Sequence, residues 1–212
     1  MSGRPAHRLP GALLAAFALA ALVELVSVAV DARTGQLLAK PLLMPLLAAY
    51  VAARGGPRLL VAALLLGWGG DVFLLSSADG AFLAGMGCFA AGHLCYLVLF
   101  GRRRTRAGLA LGYGLALVVA LALLWSGLPA ELRAPVAVYS LLLAAMACRA
   151  SALGPLAGAG GALFLLSDTL IATGVAHRPQ PPAADLWIML MYIAAQALLT
   201  AGILRSRPRT HD

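Results

Sequence analysis

The chain has 212 residues, is 62% hydrophobic and only 11% charged, and has a mean hydropathy of +0.91. That balance excludes a water-soluble domain, whose surface could not be kept polar with so few charges. The net charge of +8 would suit nucleic acid, but the arginines are scattered among the short breaks between apolar stretches. This excludes a nucleic-acid partner and leaves topology and lipid headgroups as their role.

A helix needs roughly 20 apolar residues to cross the hydrocarbon of a bilayer. The sequence divides into eight such stretches, which predicts an all-α fold: a polytopic membrane bundle of eight transmembrane helices in a single domain. The first runs from Gly11 to Val30 and follows Arg8, as the core of a secretory signal would. However, Glu24 interrupts it, it is long for such a core, and further spans follow. Glu24 shares a helical face with Ser27 and Asp31. The second span, Leu37 to Ala53, carries Lys40-Pro41 and Met44; the third, Arg58 to Ser77, carries Gly70-Asp71. On the fourth, Ala81 to Phe100, steps of three and four place Phe82, Gly85, Phe89, His93 and Tyr96 on one face.

After the cluster Arg102, Arg103, Arg104 and Arg106 come the fifth span, Ala107 to Ser126, and the sixth, Ala134 to Ala150, with Tyr139. The seventh, Pro155 to Val175, holds Ser167-Asp168 and opens on Gly154, Ala157, Gly158 and Gly161, small residues that let helices approach closely in lipid. The eighth, Ala184 to Leu204, holds Tyr192 and Gln196. Strands are not expected, since the segments are rich in Ala and Leu and lack the alternation of a lipid-facing barrel. Cys88, Cys95 and Cys148 lie within spans, form no C-x-x-C pair and read as small core residues.

An internal echo links the two halves. Residues 69–76, GGDVFLLS, match 160–167, GGALFLLS, and Phe89 with His93 is echoed by Tyr192 with Gln196 at the same spacing. Four spans separate the copies, so two parallel four-helix halves are one reading, against chance similarity in a Gly- and Leu-rich chain. On a literal alignment Asp168 matches Ser77 rather than Asp71.

With an even number of spans both termini share a side. On that side fall Arg4, Arg8, Arg54, Arg58, the Arg102–Arg106 cluster, Arg149, Arg205, Arg207 and Arg209, against Arg33, Lys40, Arg133 and Arg178 opposite. The positive-inside rule therefore predicts cytoplasmic N- and C-termini. Counted from that side at about 1.5 Å per residue, Asp71 lies about 20 Å into its span, and Glu24 and Asp168 also lie past the midplane. Lys40, Tyr139, Tyr192 and, slightly deeper, His93 belong to the same outer half. The expectation is a polar pocket there, open to lipid or to the non-cytoplasmic face.

Ionisable groups are expensive in hydrocarbon and so point to function. Glu24, Asp71 and Asp168 are three acids, against which the spans offer only Lys40 and His93. Burial and nearby like charge both favour a protonated carboxyl, so at least one acid is expected to keep its proton near neutral pH. A protonated carboxyl beside an ionised one is the material of general acid–base chemistry. Two plainer readings stand beside it: a Lys40 to Asp71 ion pair that fixes helix packing, and a His93 that hydrogen-bonds a neighbouring helix.

These residues resemble the YhhN family of integral membrane proteins, whose characterised animal members are lysoplasmalogenases. The resemblance runs from the second span to the eighth. It rests on Lys40-Pro41 with Met44; on Gly70-Asp71-Val72-Phe73-Leu74; on the Phe82, Gly85, Phe89, His93, Tyr96 face; on Tyr139 with Met146; on Gly161-Ala162, Phe164 and Ser167-Asp168; and on Tyr192 with Gln196. It implies eight helices and hydrolysis of the vinyl ether bond of lysoplasmalogens to a fatty aldehyde and a glycerophospho-base, with a lysophospholipid as substrate; no cofactor or metal is expected.

In that chemistry one of Asp71 and Asp168 is expected to protonate the vinyl ether and the other to stabilise the cation and activate water, as paired carboxylates do in glycosidases. His93 would relay protons, and Lys40 would hold the phosphate as a point charge. Glu24, Tyr96, Tyr139, Ser167, Tyr192 and Gln196 complete the expected substrate contacts. The Ala, Gly, Leu and Arg bias points to a GC-rich bacterial genome, hence to a multi-pass protein of the bacterial inner membrane. It also leaves another lysolipid or vinyl ether open as substrate, and a homo-oligomer stays open.

The rival function is a proton-coupled transporter or lysolipid-binding protein without hydrolase activity, which buried acids and a parallel repeat would also serve. A zinc hydrolase would need about three histidine ligands, whereas His7 and His211 are terminal and His177 lies in a loop, leaving His93 alone.

Overall fold

In an apolar medium every backbone N–H and C=O must pair within its own segment, so apolar stretches of this length become helices. The computed structural model describes residues 8–78 and 80–206; Arg4, His7, Arg207, Arg209 and His211, used above, lie outside the described residues. Among these it has eight α-helices and no strand: α1 Arg8–Ala29, α2 Arg33–Ala53, α3 Arg58–Leu74, α4 Ala81–Phe100, α5 Ala107–Leu124, α6 Ala130–Ala150, α7 Pro155–Val175 and α8 Ala184–Arg205. All but α3 are long and apolar enough to cross a membrane, and α3, with 17 residues, stands at the short end of the spanning range. This is a multi-pass membrane protein.

Several helices begin earlier than hydropathy predicts. α1 starts at Arg8, α2 at Arg33 and α6 at Ala130, because a charged residue marks the edge of the hydrocarbon rather than the end of the hydrogen-bonded ladder. α6 also has Glu131 in its first turn, where a carboxylate suits the helix dipole. α3 stops three residues short of the expected Ser77, and the Arg33 guanidinium donates to the Leu75 carbonyl at 3.2 Å. That bond satisfies a carbonyl the helix leaves open. A short 3-10 turn, Ser151–Leu153, joins α6 to α7 and ends at Gly154, whose φ of 121° needs a glycine.

The helices form two compact units, one within Met1–Leu99 and one within Phe100–Asp212. In the first, α1 packs on α2 and α2 on α3. α3 meets α4 through glycine: a Cβ on Gly85 would lie 3.2 Å from the Gly70 carbonyl, and one on Gly92 would lie 3.2 Å from the Ala63 carbonyl. The second unit packs α5 on α6, α6 on α7 and α7 on α8. Gly161 brings α7 within close reach of α6, since its Cβ would lie 2.8 Å from Ala147 Cα; Gly160 and Gly202 do the same between α7 and α8. Outward faces are apolar throughout, with Leu19, Leu111, Val118 and Val138 exposed, as lipid-facing surface requires.

Candidate active site

In the first unit the predicted α4 face is realised. Gly85, Phe89, His93 and Tyr96 are buried and Phe82 is half-buried. Asp71, 3% exposed, sits in the last turn of α3. Its neighbour Gly70 lies under the Phe89 ring, which a Cβ would approach to 2.5 Å. The glycine therefore lets the aromatic ring close over the backbone beside the acid.

Glu24 of α1 is 1% exposed and Ser27, one turn on, is buried. The carboxyl faces Lys40 of α2, which offers it a backbone N–H and a nearby ammonium, while its Oε2 has no hydrogen-bond partner among the described residues. Lys40 is half-buried and precedes Pro41, and a second proline, Pro45, follows within the helix. Each proline removes one N–H from the ladder, which exposes backbone polarity in this stretch of α2. The packing of α1 on α2 places Lys40 beside Glu24.

In the second unit Tyr139 lies on α6, Ser167 and Asp168 on α7, and Tyr192 and Gln196 on α8. Tyr139 donates its phenol hydrogen to a carboxylate oxygen of Asp168. Both residues are half-buried. Ser167 is buried and donates to the Ile188 carbonyl at 3.0 Å, which ties α7 to α8. Tyr192 stands edge-on to Phe164, ring centroids 5.5 Å apart at 87°, and Gln196, one turn further, is 1% exposed.

Thr200 is a buried polar group that the sequence reading passed over. It follows Tyr192 and Gln196 at steps of four, and that spacing is the signal that could have found it. Ser27, noted only for sharing the Glu24 face, abuts Gly35 where α1 meets α2. Among the described residues no three His, Cys, Asp or Glu side chains gather as metal ligands would.

The sequence model of the YhhN family matches residues 35–203, a range that takes in every residue above except Glu24 and Ser27. The chain belongs to the YhhN family. Similar proteins include lysoplasmalogenase TMEM86B of Homo sapiens, 41% identical over 152 residues, which are 72% of this chain and 66% of that protein. The Sus scrofa lysoplasmalogenase TMEM86B is 40% identical over 126 residues, 59% of this chain and 55% of the relative. That of Rattus norvegicus is 37% identical over 169 residues, 79% and 71% respectively. The match thus spans just under two thirds of the human protein and little more than half of the porcine one. No solved structure matches the chain. In this YhhN protein α1 precedes the stretch that the family model covers.

Proposed function

We propose that the protein is a lysoplasmalogenase, hydrolysing the vinyl ether of a lysophospholipid to a fatty aldehyde and a glycerophospho-base. The observation that carries this is its identity of 37–41% to relatives named lysoplasmalogenase, within a family match that contains Asp71, His93, Tyr139 and Asp168. The intramembrane acids support it, because the reaction needs a proton donor and a carboxylate in an apolar setting.

A carboxylic acid gives its proton to the β-carbon of the vinyl ether, the π pair forming the new C–H bond and leaving an oxocarbenium ion. Water attacks the cationic carbon and passes a proton to a carboxylate. The hemiacetal then collapses: the bond from that carbon to the glycerol oxygen breaks, the alcohol leaves with a proton, and the aldehyde carbonyl forms. Asp71 and Asp168 take the two carboxyl roles, and His93 relays protons. Lys40 holds the phosphate, and Glu24, Tyr96, Ser167, Tyr192 and Gln196 shape the substrate's surroundings. The protein works in a bacterial inner membrane with both termini cytoplasmic.

The test is aldehyde release from lysoplasmenyl lipid by purified protein in detergent, where transport leaves no product. Asp71→Asn or Asp168→Asn is expected to lower kcat by about 10²- to 10⁴-fold, the usual worth of a positioned acid or base, and the double variant to be inactive. Undiminished hydrolysis by the double variant would end the mechanism.

A further inference from the structure

Tyr139 has one hydroxyl proton, and in the structure that proton is directed to Asp168. The ring reaches across from α6 to α7, where close packing sets the gap: two turns away, Gly161 approaches Ala147 so tightly that a Cβ would lie 2.8 Å from its Cα. On its other side α7 is tied to α8 by the Ser167 hydroxyl on the Ile188 carbonyl at 3.0 Å. The carboxylate is thereby held from one flank by a phenol on a neighbouring helix, next to a residue that anchors its own helix on the other flank.

We infer that Tyr139 is a positioning residue that acts on the reaction through Asp168, holding that carboxylate in the role of base. The inference rests on the hydrolase reading given above. A carboxylate that accepts a phenol proton is disposed as an electron-pair donor. Asp168 is therefore the group that stabilises the oxocarbenium ion and takes the proton from the attacking water. Because its proton is engaged, Tyr139 makes no hydrogen-bond donation to the lipid.

A double-variant cycle tests this. Tyr139→Phe keeps the ring and removes the donor; it should lower kcat by about 10- to 100-fold, the worth of a hydrogen bond to a charged group, with KM within about twofold. In an Asp168→Asn background the same change should cost less than about threefold, since two groups acting as one unit are not additive. Losses that multiply, or a raised KM at unchanged kcat, would overturn the inference and make Tyr139 a substrate contact. A second measurement needs no turnover. The ultraviolet resonance-Raman doublet of the Tyr139 phenol, isolated by subtracting the Tyr139→Phe spectrum, should report a strong donor that Asp168→Asn weakens. An unchanged doublet would remove the contact. Should the parent protein release no aldehyde, the hydrolase reading fails separately, while the doublet still decides whether Tyr139 holds Asp168.

Discussion

A glycine beside an acid, Gly70 before Asp71, is easily read as part of a catalytic motif, but the structure gives the glycine a packing reason. Its missing side chain is the space occupied by the Phe89 ring, with three ring carbons within 2.8 Å of where a Cβ would stand. Gly70→Ala should therefore destabilise by about 1–3 kcal/mol, the usual cost of overpacking, and a thermal-unfolding midpoint in detergent should fall accordingly. Phe89→Leu in the same chain should restore part of the loss; an unchanged midpoint in Gly70→Ala would contradict the contact. At this scale the sequence revealed which residues were unusual, since an acid, imidazole or ammonium in an apolar run stands out. It did not reveal their partners. Lys40 faces Glu24 and Tyr139 donates to Asp168, pairings that depend on which helices are neighbours.

Among the elements, hydropathy located every span, and α4 and α7 begin and end where the apolar stretches placed them. The ends that differ do so for one reason: polarity ends a hydrophobic stretch before it ends a helix. The repeated Gly-Gly pairs show the limit of reading packing from composition. Gly69 and Gly160 both face the following helix, toward Cys88 and Leu199, whereas Gly70 faces Phe89 of α4 and Gly161 faces Ala147 of α6. Gly154, grouped with them by spacing, has no neighbour within 4 Å and serves the backbone instead. At Gly160 a Cβ would lie 2.7 Å from the Leu199 backbone nitrogen and 2.8 Å from the Ala195 carbonyl. Backbone cannot swing aside as a side chain can. Gly160→Val is therefore expected to exceed about 3 kcal/mol of destabilisation, read as loss of protease resistance in detergent. Gly87→Ala, with nothing within 4 Å, should leave resistance intact or improve it, because alanine favours helix over glycine by about 0.5–1 kcal/mol.

For the molecule as a whole, the arginine asymmetry carries a proposal about orientation. A single cysteine placed at Arg104, between α4 and α5, should be labelled by an impermeant reagent only from the cytoplasmic face. One at Arg178, between α7 and α8, should react only from the other. Labelling of both from one side would refute the eight-span topology. Arg178 donates to the Leu123 carbonyl at 2.8 Å and to Ser126 at 2.7 Å, so its loop is held against the end of α5.

The sequence by itself determined the medium, the number and order of the helices, and the small set of polar residues that chemistry could use. Those properties follow from local hydropathy and from the cost of charge in hydrocarbon, which are felt residue by residue along the chain. Only the tertiary structure decided that Glu24 lies with Lys40 and that Tyr139 is engaged by Asp168. A side chain's partner is set by the close approach of helices that lie apart in the sequence, and no local pattern encodes that approach.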